Sequence, residues 1–242
     1  LALHPNGRVV ATGQGGSSPR LFVWDSERCG PRGAAGAGVG QGLDLLAELE
    51  VSTVRALEAE GAVGGVQQLA FSACGRLIVA VLSDALHTVA VWDWRTRALL
   101  AQAPGDLKDV LAVACNPYLP PYGDGPGALV TCGVKHVLFW HMPRVAAGHP
   151  ELALSSRPGE LRGRAPLATM LCVAFTPEQT LCGAEDGRVY LFSHHGLLHR
   201  CVRLHAAPLT ALCVHTEGTA SVIFSADAAG FLKIFDKKFV KV

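Results

Sequence analysis

The sequence lacks an excess of charge of either sign. Its 242 residues carry 21 Lys and Arg against 20 Asp and Glu, a formal net charge of +1. A chain so balanced presents no broad basic field of the kind that neutralises a phosphate backbone, so nucleic-acid binding is not expected. It also lacks a signal-peptide pattern and any long uncharged apolar segment, so neither secretion nor contact with a membrane is expected. Leu1 already lies inside an apolar strand-like run, and the chain reads as a piece of a longer protein. The eight cysteines include no Cys-x-x-Cys pair, which removes the commonest zinc and dithiol arrangements. Cys115, Cys132, Cys172, Cys182 and Cys213 instead sit in or beside apolar runs, where a free thiol acts as a small buried hydrophobe. Reduced thiols point to an intracellular setting.

Signatures of catalysis are absent as well. Gly13-Gln14-Gly15-Gly16-Ser17-Ser18 is glycine-rich, yet no Lys follows and the next run reads as a strand, so it is not a phosphate cradle. No Gly-x-Ser-x-Gly elbow occurs. His194-His195 with His199 offers imidazoles without a neighbouring Cys or acidic residue, and reads as a solvated hairpin rather than a metal site. No local signature supports a Cys–His nucleophile pair. An enzyme, a cofactor and a metal are therefore not expected.

What the sequence has is a repeat. Half of the residues are apolar and only 17% are charged, which excludes disorder over most of the length. Leu21-Phe22-Val23-Trp24-Asp25 and Val89-Ala90-Val91-Trp92-Asp93 end alternating apolar runs in Trp-Asp, and weaker copies end at Trp140-His141, Phe192-Ser193 and Phe235-Asp236. The aromatic position recurs at 24, 92, 140, 192 and 235. A period of roughly 40–45 residues with this ending is the signature of WD40 β-propeller blades. The expected fold is all-β: a propeller segment of about five blades, spanning approximately 1–60, 61–107, 108–160, 161–204 and 205–242. Five is fewer than a closed ring usually holds, so the segment belongs to a larger propeller.

Insertions explain the spacings longer than the period. Residues 30–42 are a Gly/Ala-rich run and read as a flexible surface insertion. Leu43 to Glu60 fits an amphipathic helix or an irregular outer strand, and periodicity alone does not decide. Pro117 to Gly127 and residues 142–166, both proline-rich, read as two further loops.

Within a blade, the Trp packs between neighbouring sheets and its indole N–H needs an acceptor. Blades of this type often supply one through a His–Ser/Thr–Asp–Trp network, the Asp lying in the tight turn before the third strand. His205, Ser225 and Asp227 fit three of those positions in the last unit, where Phe235 replaces the Trp. Asp186 fits the turn in the unit before, and Asp84 fits it in the second unit with Trp92. Together with Trp24, Asp25, Asp93 and Trp140, these residues are expected to hold the blades rather than perform chemistry.

Beyond the repeat, several strings are more particular. His4-Pro5, Ala11-Thr12-Gly13-Gln14, Ala70-Phe71-Ser72, Val91-Trp92-Asp93-Trp94, and Val130-Thr131-Cys132-Gly133 with Lys135-His136 occur in order along the chain. So do Leu171-Cys172-Val173-Ala174-Phe175 and Asp186-Gly187. In this the chain resembles the first propeller of the echinoderm microtubule-associated protein-like (EML) family over nearly its whole length. The family's hydrophobic motif preceding that propeller is not in this sequence, and the 30–42 insertion is foreign to the pattern. The resemblance implies a non-enzymatic scaffold that binds tubulin, microtubules or microtubule-associated proteins. The implied setting is the cytoplasm and cytoskeleton, including the cilium, axoneme or centriole. The competing expectation is a WD-repeat scaffold for an unrelated complex, such as a ubiquitin-ligase adaptor or a trafficking coat. Because tubulin's surface is acidic, Arg144, Arg157, Arg162 and Arg164 are the candidate contacts. Lys233, Lys237, Lys238 and Lys241 form a second basic cluster.

Overall fold

Short apolar strands separated by Gly-, Asn- and Asp-containing turns form small twisted sheets, and each sheet must lay a face on another to bury its side chains. The computed structural model describes residues 1–16, 18–27, 44–51, 54, 64–121, 127–142, 152–218 and 220–241. Most of the 30–42 insertion's neighbourhood, the insertion itself and Arg144 lie outside the described residues.

The first sheet contains β1 (Ala2–Leu3), β2 (Val9–Gly13), β3 (Arg20–Asp25) and β4 (Asp44–Glu50), side by side in chain order. The second contains β5 (Val66–Phe71), β6 (Leu77–Leu82), β7 (Val89–Asp93) and β8 (Ala98–Ala103). The third is built from β9 (Val110–Cys115), β10 (Leu129–Gly133), β11 (His136–His141) and β13 (Ser155–Pro158). Between β11 and β13, the short β12 (Leu152–Ala153) pairs in parallel with β8, adding a fifth strand to the outer edge of the second sheet. The fourth sheet holds β14 (Met170–Phe175), β15 (Thr180–Ala184), β16 (Arg188–Phe192) and β17 (Leu198–Arg203). The fifth has three strands, β18 (Leu209–Glu217), β19 (Ala220–Asp227) and β20 (Leu232–Asp236). Apart from β12, every pairing between these strands is antiparallel, and all but β11–β13 join strands consecutive in the chain.

One sequence expectation changes here and one open alternative is decided. Residues 142–166 are not simply a loop: their described part supplies β12 and β13, so the chain touches the edge of one blade before completing the next. Polar Ser155, Ser156 and Arg157 are all exposed on β13, which hid that strand from any hydrophobic pattern. For Leu43 to Glu60, the strand alternative holds over β4.

Each hydrophobic core lies between two consecutive sheets. Leu21, Val23 and Leu49 of the first pack on Ile78, Ala80, Leu82 and Trp92 of the second. On its other face the second presents Leu77, Val79, Val81 and Val91 to Leu129, Leu138 and Trp140. Val130, Cys132 and Phe139 then meet Met170, Cys182, Tyr190 and Phe192. Leu181, Val189 and Leu191 close on Leu209, Ile223 and Phe235. Among the described residues no core joins the fifth sheet to the first, so the blades form an open arc.

Burial along the strands follows from that stacking. The middle sheets are covered on both faces, so every residue of β6, β10 and β15 is buried, and their sequences run apolar or small without alternation. End sheets have one covered face, and β19 accordingly alternates strictly between buried and less buried residues. Trp24 is only partly buried for this reason, whereas Trp92 and Trp140 are 1% exposed. Cys213, expected inside, is exposed on β18 because no sheet follows on that side.

Candidate functional site

Each Asp of the Trp-Asp endings caps the turn that follows its strand. Asp25 Oδ1 accepts the Glu27 backbone N–H at 3.0 Å, and Asp93 Oδ1 accepts those of Arg95 at 3.0 Å and Thr96 at 3.3 Å. Asp236 does the same for Lys238 and Val240 at 2.9 and 2.8 Å. In the first two blades the second carboxylate oxygen takes an arginine from the turn between the first two strands. Arg8 Nη2 donates to Asp25 Oδ2 at 2.9 Å while its Nε also reaches Oδ1 at 3.1 Å, and Arg76 Nε donates to Asp93 Oδ2 at 2.6 Å. Burial alone would push the Asp93 carboxyl up, but Arg76 and the Thr96 and Arg95 amides hold it below its ordinary value. The sequence reading missed both arginines. Their signal was present: Gly-Arg at 7–8 and 75–76, with each Arg 17 residues before its Asp.

The indole acceptors form a second repeated position. Trp24 Nε1 donates to Thr12 Oγ1 and Trp140 Nε1 to Thr131 Oγ1, both at 2.9 Å. Each threonine lies two residues after the cross-strand partner of its Trp, Val10 and Leu129 respectively. The same register position is Ala80 in the second blade, Cys182 in the fourth and Ser225 in the fifth. Trp92 therefore has no hydroxyl at the position that serves Trp24 and Trp140. In the fifth blade the hydroxyl survives without its indole and turns to a histidine instead.

That histidine completes a buried chain of contacts. His205 Nε2 lies 2.7 Å from Ser225 Oγ and Nδ1 lies 2.9 Å from Asp227 Oδ2, while Asp227 Oδ1 accepts the Ala229 and Phe231 amides at 3.0 and 2.9 Å. Burial pushes the Asp227 carboxyl up, but the Phe231 amide, His205 and the Ala229 amide outweigh it and hold it low. The order Ser–His–Asp is that of a nucleophile, its base and an orienting carboxylate. Ser225 is 1% exposed and His205 is 2% exposed, so a substrate has no access to Oγ. The other turn aspartates are also committed: Asp84 accepts the Thr88 N–H and hydroxyl at 2.7 and 2.6 Å, and Asp186 the Arg188 N–H at 3.1 Å.

At four of the cysteines thiol chemistry is suppressed by burial. It pushes Cys115 and Cys172 up to about 12, and Cys132 and Cys182 further in the same direction, so none is a thiolate near neutral pH. Among the described residues, no group of three or more His, Cys, Asp or Glu side chains converges as a metal site.

The more particular strings lie at seams between blades. His4 Nε2 and Trp94 Nε1 both reach the Gly75 carbonyl, at 3.0 and 2.7 Å, and the His4 ring stands edge-on to Phe71 at 5.1 Å. Gly133 runs so close to the third sheet's entry that a Cβ there would lie 1.9 Å from the Asp109 carbonyl oxygen. Val134 and Lys135 make the two-residue turn after it, with Lys135 at φ 57°, and the Lys135 ammonium crosses to Glu185 of the next blade at 2.6 Å. That contact, with the Thr169 amide, holds the Glu185 carboxyl below its ordinary value.

The predicted basic residues do not form one patch of similar members. Arg157 is exposed on β13. Arg162 pairs with Glu160 at 3.1 Å, and Arg164 donates to the Leu198 and His199 carbonyls at 3.3 and 3.0 Å. Lys233 is likewise tied to the Leu204 carbonyl at 2.7 Å. Arg200 of β17 lies over the Phe239 ring at 6.0 Å, and Lys237 and Lys238 of the fifth blade are exposed.

Comparison with known proteins supplies the remaining observations. No family model matches the chain. It is similar to cilia- and flagella-associated protein 44 of Chlamydomonas reinhardtii, 27% identical over 200 residues that cover 79% of this chain and 10% of that protein. The protein of the same name from Trypanosoma brucei brucei is 27% identical over 143 residues, 59% of this chain and 7% of its own length. Echinoderm microtubule-associated protein-like 4 of Homo sapiens is 27% identical over 150 residues, 58% of this chain and 12% of its own length. The chain thus spans about a tenth of the length of the curated relatives it matches. Among solved structures it is similar to the Cps50 (Swd1) β-propeller domain of Myceliophteria thermophila, with a TM-score of 0.64, 12% identity, and coverage of 97% of this chain and 63% of that one. The fold is a β-propeller arc, and the sequence likeness extends to both ciliary and EML-type proteins.

Proposed function

We propose that this arc is part of a non-catalytic scaffold on microtubule-based structures, in the cytoskeleton or the ciliary axoneme. One observation carries the reading: the ordered strings around Thr131-Cys132-Gly133 and Lys135-His136 occur in a chain whose likeness runs to proteins named for cilia, flagella and microtubules. The broader alignment with the ciliary protein, 79% of this chain against 58%, favours a ciliary relative over membership of the EML family. Scaffolding without catalysis is supported by the commitment of Asp25, Asp84, Asp93, Asp186 and Asp227 to turns, and by the inaccessibility of Ser225.

The partner is tubulin or a microtubule-associated protein, met in part through exposed basic residues. Arg157, Arg200, Lys237 and Lys238 are exposed; Arg162 and Arg164 contribute less, because their guanidinium groups are already engaged. Exposed charges of this kind act mainly on encounter and are screened by salt. Full-length protein is expected to co-sediment with taxol-stabilised microtubules, and neutralising Arg157, Arg162 and Arg164 together is expected to lower pelleting at low salt. Capture instead by a ubiquitin-ligase or coat complex, with no pelleting, would replace this reading by that of an unrelated scaffold.

A further inference from the structure

The turn between β16 and β17 sits where three blades meet, and it is not the solvated hairpin its His-His sequence suggests. His194 Nδ1 lies 2.9 Å from Asn116 Nδ2 and 3.2 Å from Thr180 Oγ1, and His194 Nε2 lies 3.1 Å from the Pro177 carbonyl oxygen. These contacts fix where the proton resides. A carbonyl only accepts, so Nε2 carries the hydrogen and donates it. The Asn116 carboxamide oxygen accepts the Tyr118 backbone N–H at 2.9 Å, which turns the amide's nitrogen toward the ring. His194 Nδ1 must then accept from Asn116, and it is unprotonated.

Much depends on that one acceptor. Asn116 directly follows β9 and is 2% exposed. The segment that leaves it, Pro117–Pro121, departs from the third sheet and passes the fourth. The Tyr118 ring stacks against His194, with centroids 6.5 Å apart and planes at 23°, and its hydroxyl lies 3.1 Å from Thr216 Oγ1 on the fifth sheet. Thr216 is in turn 3.1 Å from Ser221 Oγ across the β18–β19 pair. The far end of the same insertion also presses on this turn. Gly127, at φ 112°, runs so close that a Cβ would lie 1.7 Å from the His194 carbonyl oxygen.

We propose that His194 is a proton-operated latch. When neutral it pins Asn116–Pro121 across the fourth blade with Tyr118 seated on the fifth. Protonated on Nδ1, it faces the Asn116 amide donor to donor and releases that segment.

The surrounding charges favour release rather than compensation. Burial is the largest influence and lowers the proton affinity of the imidazole; the Pro177 carbonyl raises it, and His195 on the same turn lowers it. Glu178, in the turn that contains Pro177, is not among the groups that set it, and from the β9 side the Tyr118 ring stacks on the imidazole without a place among those groups. The Thr180 hydroxyl can rotate to accept one hydrogen, but the Asn116 amide cannot invert without abandoning the Tyr118 N–H. The sign follows. A histidine whose folded affinity is below the unfolded value of about 6.5 binds more protons when unlatched. The latch is fully effective above about pH 6.5 and is lost as pH falls below it.

Hydrogen exchange on the full-length protein, normalised for intrinsic rate, tests this at pH 7.5 and 5.5. The peptide covering Asn116–Pro121 is expected to lose protection at the lower pH, while β10 and β15 keep theirs. His194→Gln supplies a non-titrating acceptor and donor, and should stay protected at both values. Asn116→Asp gives a protonated Nδ1 its acceptor, and should be best protected at pH 5.5. Equal protection of the wild type at both values overturns the proposal, as does an acid-induced loss in His194→Gln matching that of the wild type.

Discussion

Removing the carboxylate of Asp93 separates two roles that the Trp-Asp ending combines. One oxygen caps the β7–β8 turn through the Arg95 and Thr96 amides, and the other takes the Arg76 guanidinium at 2.6 Å. The Arg76 side chain is 65% exposed, whereas that of Asp93 is 3% exposed. Losing the exposed partner, as in Arg76→Met, should cost only about 0.2–1 kcal/mol after solvent screening. Asp93→Ala also strips acceptors from two amides; because Arg95 and Thr96 are exposed and can rehydrate, each is worth about 1 kcal/mol, the low end for such groups. The expected cost of Asp93→Ala is then about 2–3 kcal/mol, with Asp93→Asn, which keeps a capping oxygen, near 1 kcal/mol. Urea unfolding of the three variants, followed by tryptophan fluorescence with hydrogen exchange at residues 93–98, measures the order. An Arg76→Met loss equal to that of Asp93→Ala would refute the capping argument and leave the ion pair as the main term. The pH dependence adds a check. The folded carboxyl is held below its ordinary value, so its contribution is complete above about pH 4 and is lost as pH falls through the lower folded value. The wild type should therefore lose its advantage over Asp93→Asn only in that acidic range.

Further outcomes follow from the other repeated positions. Thr131→Val leaves the buried Trp140 indole without its acceptor and should cost about 1–3 kcal/mol; adding Trp140→Phe should recover part of that penalty in a double-mutant cycle, and strict additivity would contradict the pairing. Gly133→Ala drives a methyl to 1.9 Å from the Asp109 carbonyl oxygen, and the backbone shift should cost about 1–3 kcal/mol in thermal unfolding. His205→Ala should raise the Asp227 carboxyl toward its ordinary value and increase exchange at the β19–β20 turn; carboxyl NMR titration reads the first effect, and an unmoved Asp227 would contradict it.

The fold was legible because its signals are local. Each blade ends in the same aromatic position, and turns at Gly75, Asp186-Gly187 and Asp227 to Gly230 mark the strands between. The contacts among His205, Ser225 and Asp227 were legible for the same reason, since the three belong to a known pattern of positions. Arg8 and Arg76 were missed although their offset of 17 residues repeats, because a polar turn residue gives no hydrophobic signal. β12 and β13 were hidden by length and polarity: two and four residues carry no period. The His194 contacts join residues 78 apart in the chain, and nothing local in either Asn116 or the His-His pair announces the other. Exposure of Cys213 depends on which sheet lacks a neighbour, a property of the arc rather than of the strand.

The scaffold reading stands or falls most directly on co-sedimentation of the full-length protein with taxol-stabilised microtubules across a range of salt concentrations. It predicts pelleting with microtubules that weakens as salt rises, and weakens at low salt when Arg157, Arg162 and Arg164 are neutralised. Folded protein that stays in the supernatant at every salt concentration would contradict it.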